Sequence, residues 1–274
     1  MKASFLKQSV LIVKPGPIQK PPDTTQEPLE DKMGGGHTVA AFDAELKQLQ
    51  RMIEDMGRQA ENQFAQAVAA LLHSDTTAAA AVIEGDVGID RLEAQVEAMA
   101  VRMLALRQPM ARDLREIVAA FKVSSNLERL GDFARSIAKR TVTLASLPVA
   151  PPVASLAWMG ETVQGMIHDV VTAYVTQDAA LAKSVRERDS AVDHAYTALF
   201  REMLTYMMEA PQNITGCTHL LFVAKSIERA GDHVTNIAEN ICFLVEGRVP
   251  AEERAKDDQS SFAVVDVPEP PPSA

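Results

Sequence analysis

Ser124 to Arg140 reads SSNLERLGDFARSIAKR, and Ala224 to Asn240 reads AKSIERAGDHVTNIAEN. Six of the 17 aligned positions are identical, among them Glu-Arg-x-Gly-Asp and Ile-Ala. In both stretches apolar residues recur at three- and four-residue steps, the period of an amphipathic helix. A helix that recurs with its polar motif intact marks duplication of a larger unit. The unit continues outward on both sides. Asp86 and Asp90 precede the first stretch as Asp189 and Asp193 precede the second, at an offset of 103 residues, and Asp75 and Asp178 stand apart by the same 103.

The helical period extends through most of the chain. Phe42, Leu46, Leu49, Met52, Ile53, Met56, Ala60, Phe64, Ala67 and Leu71 predict a first helix of about eight turns. It breaks at His73-Ser74-Asp75, where Ser74 or Asp75 supplies an N-cap for a second helix. That helix runs to about Arg107 and stops at Gln108-Pro109, because proline disfavours helix in the residue before it. A third spans roughly Arg112 to Leu144. After Pro148-Val149-Ala150-Pro151-Pro152 the pattern repeats, with helices over roughly Ser155–Val175, from the cap at Asp178 to Met208, and over Thr215–Glu246. Ala210-Pro211 breaks the fifth helix, and Gly247 is suited to the C′ position of the sixth. The expected fold is all-α: a first three-helix bundle over 38–147 and a second over 153–248. Residues 1–36 hold five prolines and a Gly-Gly-Gly run, and residues 255–274 are also proline-rich; both are expected to be disordered tails. Met33, just before the helical pattern, is a place where translation could begin, and the mass of the native protein tests this.

Composition narrows the function classes. Apolar residues make up 47% of the chain but aromatics only 5%, which suits helix–helix packing better than strands. A net charge of −10 repels phosphate backbones, so nucleic acid is not an expected partner. No apolar run approaches the ~20 residues of a membrane span, so direct membrane insertion is not expected. Cys217 and Cys242 fall in one predicted helix, roughly 37 Å apart along its axis, too far to bridge. Two free thiols fit a reducing cytoplasm.

The repeated carboxylates carry the chemistry. Glu128 and Asp132 share one helix face, as do Asp86 and Asp90 on the helix before. Measured from the turn at Pro109, Asp90 lies 19 residues before it and Glu128 19 after; Asp86 and Asp132 lie 23 away. In the second repeat Asp193 and Glu228, and Asp189 and Asp232, are both centred on position 210.5, beside Pro211. Each antiparallel hairpin therefore brings four carboxylates to one height. Such oxygen donors suit hard cations, Mg²⁺, Mn²⁺ or oxygen-ligated iron, whereas zinc prefers nitrogen and sulfur. The plain alternative is a solvated acidic stripe bridged to Arg129, Arg229, Arg91 or Arg188. Gly131 and Gly231 sit inside helices, where glycine costs roughly 1 kcal/mol against alanine. Their matched positions point to close approach of a neighbouring helix or of a metal cluster. Arg129 and Arg229 adjoin the acids but point about 100° away, which suits interhelical salt bridges or support of the acids better than catalysis.

Taken together, the duplicated Glu-Arg-x-Gly-Asp helices resemble those of PhoU proteins. The resemblance rests on Glu228-Arg229-Ala230-Gly231-Asp232-His233 with Asn236-Ile237-Ala238-Glu239, on Gln108-Pro109 with Asp113-Leu114-Arg115, and on the Asp86/Asp90 and Asp189/Asp193 pairs. It covers about residues 38–250. It implies two three-helix bundles related by pseudo-twofold symmetry, with multinuclear sites for iron, zinc, magnesium or manganese at the acidic motifs. It also implies a cytoplasmic negative regulator of phosphate uptake and phosphate-starvation signalling. Such a regulator contacts the ATPase of the phosphate ABC transporter and the phosphate-sensing histidine kinase. A homo-oligomer, a dimer, is the expected assembly. Ser136 stands where the second repeat has Asn236; if that asparagine helps to hold metal, the first site is the weaker. No enzyme is expected. Ferritin-like di-iron bundles need Glu-x-x-His, which is absent, as are P-loop, zincin and Gly-x-Ser-x-Gly motifs. The competing reading is a metal-free helical adaptor whose acidic faces bind basic partner surfaces.

Overall fold

The structure, a computed structural model, describes residues 35–147, 154–250 and 258–260. Six long helices carry the fold, α1 (Gly35–Leu72), α2 (Thr76–Arg107), α3 (Ala111–Leu144), α4 (Ala154–Thr176), α5 (Ala179–Glu209) and α6 (Ile214–Glu246). A 3-10 turn at Pro211–Asn213 joins the last two. No strand occurs among the described residues.

Local chemistry sets the helix ends twice over. Asp75 accepts hydrogen bonds from the Thr77 and Ala78 amides, and Asp178 accepts them from Ala180 and Leu181, all at 2.9–3.0 Å. Each cap satisfies two of the orphan donors that open a helix. The residues before them, Ser74 and Gln177, both turn at φ 53°. Gly247 ends α6 at φ 74°, a conformation that costs glycine little.

Some expected boundaries move. Gly35 and Gly36, read as the end of a disordered tail, open α1. Residues 1–34, Met33 among them, and the Pro148–Pro152 linker lie outside the described residues. Most of 255–274 lies outside them too, but Asp258, Gln259 and Ser260 are seated on α5 and α6. The Gln259 amide donates to Thr197 Oγ1 at 3.2 Å, and Lys225 Nζ donates to Asp258 Oδ2 at 3.0 Å.

α1, α2 and α3 pack together, as do α4, α5 and α6, and one continuous apolar core runs through both groups. The halves join through two antiparallel seams, α1 against α4 and α3 against α6. In the first, a Cβ added to Gly57 would stand 2.6 Å from Val171 Cγ2, and one added to Gly160 would stand 2.6 Å from Val68 Cγ1. Both the glycines and the valines are 103 residues apart, so each helix offers the other a notch and a knob in pseudo-twofold exchange. Along the second seam the Arg140 guanidinium lies 4.3 Å from the centre of the Phe222 ring, and that of Arg229 lies 5.1 Å from the Phe133 ring.

Candidate acidic sites on the two hairpins

The α2–α3 hairpin sets the first group of acids. Asp86 is 4% exposed, and its carboxylate fills the notch that Gly131 leaves in α3. A Cβ at Gly131 would stand 3.3 Å from Asp86 Oδ1 and 3.0 Å from Ile89 Cδ1. Arg135, one turn farther on, brings Nη1 to 3.3 Å from Asp86 Oδ2. Burial, then the neighbouring Asp90, raises the Asp86 pKa; Arg135 opposes them and Asp132 adds to them. Glu128 is half-buried, and burial followed by Asp132 raises its pKa to about 7, with Asp90 contributing. Asp86 is thus electrostatically coupled to Asp132, and Glu128 to Asp90, as equal distances from the turn require. Their orientations differ, however: Asp86 points inward, Glu128 and Asp132 are half-buried, and Asp90 is exposed.

The α5–α6 hairpin repeats the arrangement more deeply. Asp189 is 1% exposed, Asp193 2% and Glu228 4%, while Asp232 is half-buried. A Cβ on Gly231 would stand 2.8 Å from Asp189 Oδ1, so the glycine again admits the aspartate carboxylate. Glu228 Oε1 accepts a hydrogen bond from Lys225 Nζ at 2.9 Å. Its Oε2 is buried with no hydrogen-bond partner among the described residues. Burial raises the Glu228 pKa against the pull of Lys225, and Asp232 and Asp193 raise it further.

Basic side chains fill the gaps between these acids. Arg129 reaches both Asp132 (3.0 Å) and Glu128 (3.6 Å), Arg135 holds Asp86, and Lys225 holds Glu228. Among the described residues, no group of three or more Asp, Glu, His or Cys side chains is arranged to hold one ion. The donor chemistry nevertheless suits a hard cation: eight carboxylates, four of them buried, and a Glu228 oxygen without a donor. Arg129, Arg135 and Lys225 now supply the countercharge that a metal ion would supply in their place.

Three expected roles are altered. Arg229 lies over the Phe133 ring and makes no ion pair among the described residues. Asn236 is exposed in a groove between α3 and α6, away from the acids. Arg188, named as a partner for the acids, bonds Asp169 instead at 2.5 Å. Several residues escaped the sequence reading. Glu93 continues the Asp86/Asp90 stripe by another turn, and burial followed by Glu97 raises its pKa; its seven-residue spacing from Asp86 was there to be read. Tyr196 occupies the matching position of the second repeat, with Lys225 Nζ 4.9 Å from its ring centre. Arg135 and Lys225 gave no signal, because the positions one hundred residues away hold Thr235 and Ser125 and so no repeated motif marks them.

The family model of the PhoU domain matches the chain twice, over residues 53–141 and 156–241, one match for each three-helix unit. A phosphate-specific transport system accessory protein PhoU homolog of Rhizobium meliloti is 46% identical over 230 residues, covering 84% of this chain and 97% of that protein. A homolog of the same name from Caulobacter vibrioides is 48% identical over 223 residues, covering 81% and 97%. The crystal structure of PhoU from Pseudomonas aeruginosa superposes with a TM-score of 0.74 at 38% identity, covering 76% of this chain and all of that one.

Proposed function

Because the chain belongs to the PhoU family, we propose that it is an accessory regulator of a phosphate-specific transport system. In this reading it docks between the ATPase of the phosphate ABC transporter and a phosphate-sensing histidine kinase, and it holds uptake and phosphate-starvation signalling down when phosphate is plentiful. The observation that carries the reading is the match along almost the whole length of accessory proteins so named, at 46–48% identity. The structure supports it in kind. No described helix is long and apolar enough to cross a membrane, and the conspicuous features are surfaces and acidic clusters.

Metal belongs to the same proposal. Asp86, Asp90, Glu128 and Asp132 would hold it on the first hairpin, and Asp189, Asp193, Glu228 and Asp232 on the second. Iron, magnesium or manganese fits these oxygen donors better than zinc. A bound cation would neutralise the buried carboxylates and stiffen each hairpin; the chain's own contribution is to place the acids at matched depth and to leave the glycine notches open. The metal-free adaptor is the second reading, favoured by the arginine and lysine side chains already seated among the acids.

Deletion of the gene tests the regulatory role: phosphate-responsive genes are expected to escape repression in high phosphate, and a strain with unchanged repression contradicts it. Affinity capture from cells grown in high and low phosphate tests docking, with transporter ATPase and kinase expected in the bound fraction. Metal analysis of purified protein separates the two readings. Stoichiometric metal lost in Asp132→Ala and Asp232→Ala supports the ion sites, whereas metal-free protein that still captures both partners supports the adaptor.

A further inference from the structure

The α3–α6 seam carries two pockets that the duplication explains. One is lined in part by Ser136, Arg140, Phe222, Lys225 and Ser226. The other is lined in part by Asn236, Asn240, Lys122, Ser125 and Asn126, the positions exactly one hundred residues away in each case. They are two copies of one groove, and their charge has diverged. The first copy gathers Arg129, Arg140, Lys225 and Arg229 against the single carboxylate of Asp132. The second has only Lys122 and Glu239. In a chain of net charge −10, four cations around one pocket stand out.

Two of those cations are uncommitted. Arg129 is engaged by Glu128 and Asp132, and Lys225 by Glu228 and Asp258. Among the described residues neither Arg140 nor Arg229 has a carboxylate within ion-pair distance. Each rests its guanidinium on a ring from the opposite helix, Arg140 on Phe222 and Arg229 on Phe133. Stacking fixes the plane of a guanidinium and leaves its N–H edge for another acceptor. Arg140 contacts His219 Nδ1 at 3.3 Å through Nη1, but its Nε is buried with no hydrogen-bond partner among the described residues. Pre-oriented guanidinium forks of this kind match the oxygens of a phosphate group. The pocket volume, about 360 Å³, lies at the small end of the range for small-molecule sites.

We propose that the basic pocket between α3 and α6 binds a phosphate group, either inorganic phosphate or one carried on a small metabolite, between Arg140 and Arg229. Asp132 gives the site its discrimination. A monoprotonated phosphate donates its hydrogen to that carboxylate, whereas sulfate, with no proton, meets only repulsion there. The charge of the pocket is read from its residues alone, so the proposal stands apart from the regulatory reading.

Isothermal titration of the full chain with inorganic phosphate, sulfate and ADP, each with and without EDTA, tests it. Phosphate or ADP is expected to bind in EDTA, with sulfate roughly tenfold weaker or worse. The tighter of phosphate and ADP identifies a free or a carried group. Arg140→Gln and Arg229→Gln are expected to weaken binding by roughly tenfold or more each, the loss of a charge-assisted hydrogen bond. Ser136→Asp, which leaves both stacks in place, is expected to abolish it, and Lys122→Gln in the sister pocket to leave it unchanged. The proposal is overturned if neither ligand binds, if sulfate binds as well as phosphate, or if EDTA removes the binding. Indifference to Ser136→Asp, or an equal loss in Lys122→Gln, also overturns it.

Discussion

A carboxylate pressed between another acid and a protein wall is a measurable liability, and Glu128 is the clearest case. Its folded pKa of about 7 stands above the ordinary 4.5, so the native state holds the proton more tightly than the unfolded chain does. The associated stability is fully present below pH 4.5 and is lost as pH rises through about 7. Glu128→Gln in chelator is therefore expected to be more stable than wild type at pH 8, by about 1 kcal/mol after screening, and to lose that advantage by pH 5. Urea titrations at the two pH values measure it; a variant no more stable at pH 8 refutes the coupling. Added Mg²⁺ or Mn²⁺ should narrow the gap if the cluster binds a cation, because it would offset the repulsion only in wild type. The glycines give a second residue-scale prediction. Alanine adds roughly 1 kcal/mol of helix propensity at either position, but at Gly231 its Cβ stands 2.8 Å from an oxygen of Asp189, which is 1% exposed and has nowhere to retreat. At Gly131 the nearest atom is the flexible end of Ile89 at 3.0 Å. Gly231→Ala is expected to lower the melting temperature and Gly131→Ala to leave it nearly unchanged; equal effects would show that the aspartate notch does not matter. The acids and glycines of both sites were legible in the sequence because they recur. The cations between them were not, since Arg135 and Lys225 face Thr235 and Ser125 across the repeat and carry no periodic signal.

At the scale of elements, the helices themselves were readable from apolar period, proline breaks and aspartate caps, which act within a turn or two of the residues that cause them. The way the halves join was not. Gly57 and Gly160 are helical glycines outside any motif, and nothing local says that they face valines 114 and 92 residues away. Each is packed against a side chain that has little room to move. Val68 is 7% exposed and β-branched, so it is held near one rotamer, and both of its methyl groups would stand 2.6 and 3.1 Å from a Cβ added at Gly160. Gly160→Ala is expected to destabilise by about 1–2 kcal/mol, overpacking outweighing the gain in propensity. Gly57→Ala, against Val171, should cost a similar amount. The two contacts are roughly 16 Å apart along α1, so the double variant should be additive. Chemical denaturation measures all three; a stabilised Gly160→Ala would mean that α1 and α4 do not interlock.

For the whole molecule, the question is whether two duplicated bundles behave as two proteins or one. Each is a three-helix unit that the PhoU-domain model matches separately, which argues for independence. Against this, α1 locks into α4 and α3 into α6 around a shared apolar core, and the second seam holds cation–ring stacks and a His233–Asn126 contact of 2.9 Å that neither half can make alone. Separating the halves would expose Phe133 and open both glycine notches to water. We therefore expect one cooperative transition. The chain has a single tryptophan, Trp158 in α4, so its fluorescence follows the second half, while helical circular dichroism follows both. In urea the two signals should share a midpoint, the test of two-state behaviour. In Gly57→Ala/Gly160→Ala, with the α1–α4 seam wedged open, they should separate. Distinct midpoints already in wild type would mean that the bundles are joined but not coupled, and a signal received by one hairpin would then have no mechanical route to the other.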